Sequence, residues 1–184
     1  THRQFEEAII RAMDLAPAAL PVHYGRQMHW TWHANVGVAM IASDSLRQAL
    51  AIAELYIGNR LPGFALTMYE EADVVRVRIS SVLEERALVS FMTPGLLTFG
   101  AYTARRTFGI EAPVPISLSA PPPRGFDGSL LRNKVDIRFS AAVDELVLPT
   151  NLLDLPSRTR DEEALHIAQQ ACEEERRALC AVQR

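Results

Sequence analysis

The 184-residue sequence predicts an α+β domain in which two strand-helix-strand-strand repeats form a mixed sheet, with helices packed on it and helices at both termini. Three observations lead to this prediction. A short apolar run is followed by a capped amphipathic helix, two alternating segments come next, and the same order recurs over 113–148 after its first occurrence over 36–80. Because only the pattern recurs, we interpret it as a structural repeat without sequence identity.

The first unit begins in the stretch 34–60. Residues 36–42 form an uncharged apolar run, which is typical of a strand buried on both faces. Ser45, followed by Gln48, forms a capping box that starts a helix, and Gly58 is the signal for its end. Apolar side chains at the helical period form one stripe along this helix: Leu46, Ala49, Leu50, Ala53 and Ile57.

Two alternating segments, 64–70 and 74–80, predict a hairpin. In the second segment the valines and Ile79 alternate with Arg76 and Arg78, and alternation normally places valines inside and arginines outside. If Arg76 pointed inward instead, its guanidinium would be a ready partner for a carboxylate ligand.

The remaining elements follow from helical and strand patterns. Residues 83–108 are mostly helical, with an interruption at Thr93-Pro94 where the regular helix begins, and Gly109 ends it. We expect strands over 112–119, 135–139 and 143–148, a short helix over 126–133, and terminal helices over 3–15 and 161–182. The segment 20–32 has the character of a loop.

Composition excludes several classes of protein. The chain is 48% hydrophobic with 19 basic and 22 acidic residues, so it is neither disordered nor a polycation, and a net charge of −3 argues against its own contact with a phosphate backbone. No apolar run reaches the ~18 residues of a membrane span. If Cys172 and Cys180 share a helix, they are roughly 12 Å apart, too far for a mutual bridge. We therefore expect a cytoplasmic protein without membrane contact.

The sequence contains no catalytic signature. A phosphate loop, a dinucleotide fingerprint, a nucleophile elbow and a zinc-spaced cysteine set are all absent from it. His23, His29 and His33 invite a metal site, but no acidic or cysteine partner is near them in sequence, so we interpret them as surface or core-edge residues. We predict no metal, no cofactor and no enzymatic activity; an enzyme would need these histidines gathered around one point.

Two stretches resemble a known family. The segment 5–60, above all HANVGVAMIASDSLRQAL at 33–50, resembles the N-terminal effector domain of AraC-type bacterial regulators, in the subfamily labelled arabinose-binding-like. The segment 139–156 resembles the closing block of that family, and 105–109 resembles the end of its long middle helix. The positions that carry the first resemblance are Gly37, Ser43, Ser45, Ala49, Leu50 and Tyr56.

The resemblance implies a transcription regulator whose N-terminal domain binds a small effector, dimerises, and passes the signal to C-terminal helix-turn-helix units. Those units are absent from residues 1–184, so the resemblance implies one effector-binding and dimerisation domain that contacts DNA only through the missing domain. The competing hypothesis is a dimerisation or interaction module without an effector, which a core without a cavity of roughly 300 Å³ would favour.

The apolar and aromatic interior leads us to expect a hydrophobic or aromatic effector, with a carboxylate as one option, rather than arabinose. We expect the binding residues to line one cavity between the two repeats. This candidate set consists of large apolar and aromatic side chains with one arginine as an anion partner: Trp30, Met40, Tyr56, Phe64, Tyr69, Arg76, Phe91, Phe99 and Tyr102.

Overall fold

A computed structural model describes residues 2–15, 19–123, 126, 128–131 and 134–182. Within them the chain forms six helices and five strands, joined in places by short 3₁₀ turns. In chain order they are α1 (His2–Leu15), α2 (Leu20–Gln27), α3 (Ala34–Ala42), α4 (Leu46–Arg60), β1 (Phe64–Glu70), β2 (Val74–Ser81), α5 (Arg86–Phe108), β3 (Val114–Ser117), β4 (Val135–Arg138), β5 (Glu145–Pro149) and α6 (Glu162–Val182). The α+β class, the mixed sheet and the helices at both termini are confirmed.

The sheet has the order β1-β2-β5-β3-β4 and is antiparallel except between β3 and β4, which are parallel. Its register places Val77 of β2 opposite Leu146 of β5, and Leu146 opposite Ile116 of β3. All three are buried, and they belong to the core that α4 and α5 complete on this face. We call this side the inner face of the sheet.

The outer face of the sheet is charged. Arg76 and Arg78 lie there, as the alternation predicts, and both contact the carboxylate of Glu145 on the neighbouring strand: Arg76 Nη1 is 2.6 Å from Oε1, and Arg78 Nε is 2.9 Å from Oε2. Arg76 also contacts Glu71, with 3.0 Å between Nε and Oε1. These hydrogen bonds raise the pKa of Arg76. The two strands are therefore joined on this side by ion pairs and on the other by aliphatic packing.

The strand predicted over 36–42 is wrong, because this run is helix α3. Val36, Ala39 and Ala42 are buried at a spacing of three residues, and α3 packs between α4 and α6. A helix enclosed in this way is apolar on most sides, and such a run cannot be told from a buried strand by periodicity. Gly37 allows the tight turn before it, since a β-carbon there would overlap the carbonyl of Trp30.

The predicted strand-helix-strand-strand repeat is also wrong, because the first strand of its first unit is helix α3. The first unit is helix-helix-strand-strand, whereas among the described residues between β3 and β4 the second unit has a 3₁₀ turn at Gly128–Leu131 and no other helix. The prediction of a short helix over 126–133 falls partly outside the described residues, at 127, 132 and 133. The two units are therefore not copies of one supersecondary structure.

Three local predictions are also corrected. The loop expected over 20–32 is α2 followed by a 3₁₀ turn at Trp30–His33. Helix α4 continues past Gly58 to Arg60, because the chain leaves the helical conformation only at Leu61, the residue before a proline. Helix α5 is continuous through Pro94 from Arg86 onward, and it ends as predicted at Gly109, which is left-handed with φ +72°.

The terminal helix α6 packs on α3 and α4 through Leu165, Ala168 and Cys172. Burial raises the pKa of the Cys172 thiol to about 11, so it remains protonated, and Cys180 is exposed; both are free thiols. Helix α5 has the length and apolar composition of a membrane-crossing helix. However, 67% of its most apolar stretch is buried inside the domain, as in a core helix.

Helices α2 and α5 cross at two glycines, Gly25 and Gly95, and a β-carbon on Gly25 would overlap the carbonyl of Gly95. We predict that Gly25→Ala lowers the free energy of unfolding by about 1–3 kcal/mol, because the helices must move apart. Gly58→Ala is the matched control: Gly58 is exposed on α4 with its nearest neighbour at 3.8 Å, so alanine there stabilises by about 0.5–1 kcal/mol. Urea unfolding measures both, and equal stability of Gly25→Ala and wild type would contradict the close crossing.

Candidate functional site

A cavity of about 80 Å³ lies between α4, α5 and the inner face of the sheet. Helix α4 contributes its whole apolar stripe, from Leu46 to Ile57. The other lining residues come from β1, β2, β5, α5 and the segment around α3: His33, Met40, Phe64, Ala65, Leu66, Val77, Ile79, Leu96, Leu97, Phe99, Gly100, Thr103, Ala104, Phe108, Leu146 and Leu148.

The lining is almost wholly apolar. Its polar side chains are His33 and Thr103, and among the described residues none that lines the cavity carries a fixed charge. Several lining residues are small: Ala53 on α4 and Gly100 and Ala104 on α5. The nearest atom to a β-carbon placed on Gly100 is Leu146 Cδ1, at 3.9 Å. The cavity is therefore a space that small side chains leave open between two helices and a sheet.

His33 is the one titratable residue in this lining. It is 4% exposed, and its ring lies 4.8 Å from that of Phe99, which lines the cavity with it. Its Nε2 atom is buried without a hydrogen-bond partner. Burial, reinforced by the positive charge of Arg60, lowers the pKa of His33 to about 4. The imidazole is therefore neutral at physiological pH, so the whole wall of the cavity is uncharged.

The candidate set divides between the cavity and other parts of the fold. Met40, Phe64 and Phe99 line the cavity. Tyr56 packs instead in the core between α3, α4 and α6, and Phe91 packs 5.0 Å from Tyr24 in a separate core. Both are core residues. They were included in the candidate set because aromatic type alone does not tell which cluster a side chain joins.

The other four candidates lie nearer the surface. Trp30 lines a cleft of about 150 Å³ together with Arg106, and Arg76 lines a cleft of about 230 Å³ on the outer face of the sheet. Tyr69 is 46% exposed, with the Arg78 guanidinium 5.0 Å from its ring centroid. Tyr102 is half-buried against the main core. The nine candidate residues therefore do not line one cavity together. Arg76 is separated from the cavity by the thickness of the sheet.

Sequence reasoning missed most of the lining as a site, although one signal for it was available. The apolar stripe of α4 is a plain amphipathic pattern, and all of its members face the cavity. From the sequence, His33 is predicted to be a surface or core-edge residue rather than a metal ligand, and not part of a ligand site. The histidines do not support a metal-binding role, because in the part of the chain that the structure describes no three His, Cys, Asp or Glu side chains could hold a metal ion.

Comparisons with known proteins agree with the fold. Residues 1–157 match the family model for the arabinose-binding domain of AraC transcription regulators, N-terminal. No curated protein shows significant sequence similarity to the chain. The crystal structure of the transcriptional regulator CdpR from Pseudomonas aeruginosa is similar with a TM-score of 0.67 at 16% identity, over 88% of this chain and 54% of that one.

The likeness to CdpR concerns the fold alone, and the chain spans about half of the CdpR chain. The family match covers most of the 184 residues, and it agrees with the resemblance noted in the segments 5–60 and 139–156. The chain belongs to the family of N-terminal arabinose-binding domains of AraC transcription regulators.

Proposed function

We propose that this domain senses a small, neutral, apolar effector in the cavity between α4, α5 and the sheet, and transmits its occupancy to an attached DNA-binding domain. The observation that carries the proposal is the apolar, uncharged lining of that cavity. A regulatory ligand-binding domain is the role its family supports. The protein then acts in the bacterial cytoplasm, as a homodimer, without membrane contact and without catalysing a reaction.

The size and chemistry of the cavity restrict the effector. Its volume of about 80 Å³ is roughly half of the ~150 Å³ at which an engineered apolar cavity takes up benzene. A sugar would bury several hydroxyl groups against aliphatic walls without partners, at a cost of about 1–3 kcal/mol each. A carboxylate would find no lysine or arginine among the described residues that line the cavity, and Arg76 lies on the outer face. Arabinose and organic acids are therefore poor ligands for this cavity.

Helix α4 is the natural element to transmit occupancy. Ile57 lines the cavity, and two residues further along α4 the Asn59 amide donates to the carbonyl of Cys172 on α6, at 2.8 Å. Asn35, at the start of α3, likewise donates to Glu175 of α6, at 2.9 Å. A ligand that contacts α4 differently in two arrangements of these helices shifts the equilibrium between them, and α6 carries that shift toward the C-terminus.

A second candidate is a dimerisation or interaction module without an effector. The small cavity volume favours it, because sites for drug-sized ligands measure about 300–1,000 Å³. Helix α6 also exposes two large apolar side chains, Ile167 at 59% and Leu179 at 40%. The two candidates differ in whether a small molecule binds the isolated domain.

We predict that xenon under pressure or cyclopropane raises the midpoint of thermal unfolding by about 2–4 °C, as expected for about 1 kcal/mol of binding energy in a domain of this size, whereas arabinose has no effect. Gly100→Leu fills the cavity and abolishes the shift. Gly58→Ala, outside the lining, preserves it. Stabilisation by arabinose, or no stabilisation by any apolar compound, would refute the proposed effector class, and the second result would favour the interaction module.

We predict that the domain forms a homodimer and that Ile167→Glu weakens it, because a carboxylate cannot be buried in an apolar interface without a partner. Gln170→Glu places the same charge at an exposed polar position of the same helix and serves as the control. Sedimentation equilibrium measures the dissociation constant of each variant. A wild-type chain that remains monomeric at high concentration would exclude the dimer, and an unchanged Ile167→Glu dimer would exclude this surface.

We predict that His33 makes stability fall as the pH is lowered. Its pKa is about 4 in the folded state against about 6.5 in the unfolded chain, so between these values the unfolded state binds more protons. The contribution is fully present above the unfolded pKa and decreases by roughly 2–3 kcal/mol as the pH falls through this window to about 4. Urea unfolding of wild type and His33→Leu across the window measures it; parallel pH profiles of the two proteins would contradict the prediction.

A further inference from the structure

We infer that the domain has a second ligand site, which takes a small aromatic carboxylate of about the size of benzoate. The site is the cleft of about 150 Å³ beside Trp30, here called the Trp30 cleft. Its polar and aromatic wall consists of His29, Trp30, Thr103, Arg106, Thr107 and Thr159. The inference does not depend on the effector proposed for the apolar cavity, because among the described residues the two linings share one, Thr103.

One face of α5 supplies half of this wall. Thr103, Arg106 and Thr107 lie at positions i, i+3 and i+4 of the helix, so their side chains project from the same side of it. Thr107 is buried, whereas Arg106 is exposed. The Trp30 cleft therefore meets two hydroxyl groups and one guanidinium within little more than one helical turn.

The guanidinium of Arg106 is available for an anion. Its neighbour Arg105 donates to the carbonyl of Ala112, but no hydrogen bond or ion pair of Arg106 occurs among the described residues. None of the described residues that line the cleft is acidic. A carboxylate that enters the cleft therefore meets a planar cation that pairs with it in two parallel hydrogen bonds, and no competing negative charge.

Trp30 and the volume of the cleft favour a flat ring on the ligand. Trp30 is partly buried, and its ring centroid lies 5.1 Å from that of His29, whose side chain caps the 3₁₀ turn that Trp30 begins. A ligand ring gains an offset or tilted aromatic contact there. The volume of about 150 Å³ matches the ~150 Å³ at which an apolar cavity takes up benzene. A sugar of that size would leave the guanidinium unpaired.

The indole N–H signals of the protein report on this site, because the chain contains two tryptophans, Trp30 and Trp32. Trp30→Phe assigns the two signals in a ¹H–¹⁵N spectrum. Titration with benzoate is expected to shift the Trp30 signal, and the affinity is expected to fall as the salt concentration rises, because Arg106 is exposed. Benzyl alcohol is the matched neutral ligand: it has the same ring without the charge and binds without this salt dependence.

We expect Arg106→Met to weaken benzoate by about 5–10-fold and benzyl alcohol by less than about 2-fold, as for the loss of one charge-assisted contact at an exposed site. Arg86→Met is the control, because it removes the same charge at the exposed first residue of α5, far from the cleft, and leaves both affinities unchanged. Equal weakening of benzoate by the two variants would reduce the effect to net charge and overturn the site.

Two further results would overturn the inference: a Trp30 signal that benzoate leaves in place, and one that arabinose shifts but benzoate does not. Cyclopropane, the probe of the apolar cavity, is expected not to displace benzoate, and displacement would assign benzoate to that cavity instead. If benzoate binds as expected while neither xenon nor cyclopropane stabilises the domain, the proposed effector class fails and the second site stands.

Discussion

The packing of α4 and α5 on the inner face of the sheet determines the rest of the domain. The register that aligns Val77, Leu146 and Ile116 gives the helices one aliphatic surface. Both helices face that surface partly with small residues, including Ala53 and Gly100, so their side chains leave space unfilled. The result is a cavity of about 80 Å³, and an empty apolar cavity of that size costs about 2 kcal/mol.

The same register makes one face of the sheet apolar and the other charged. Each strand alternates between the apolar core and a charged surface, so the buried carboxylate of Glu145 and its two arginines cannot contact anything in the cavity. Ion pairs hold β2 and β5 together where water is near, and they leave the apolar side free of charge. The chemistry of the cavity is therefore simple: aliphatic and aromatic walls, one threonine and the neutral ring of His33.

The sequence predicted those elements whose local signals agree with their surroundings. The hairpin of β1 and β2, the end of α5 at Gly109 and the terminal helix α6 were all foreseen, because alternation, a left-handed glycine and amphipathic spacing act over short range. Helix α3 was not, since a helix enclosed by two others has no polar face to reveal its period. The cavity was beyond sequence reasoning for a different reason. The cavity forms where small residues of two helices lie close together in the fold, and the type of a single residue does not indicate this.

The energy stored in the cavity also bounds what a ligand can do as a regulatory signal. A ligand shifts an equilibrium only by its difference in affinity for the two states. If one arrangement of α4 keeps the cavity and the other closes it, filling the space recovers at most about 2 kcal/mol. This corresponds to a shift of roughly 30-fold, within the usual range for coupling between sites. Because α4 lines the cavity and its Asn59 donates to α6, the proposed signal has a direct route to the C-terminal helix.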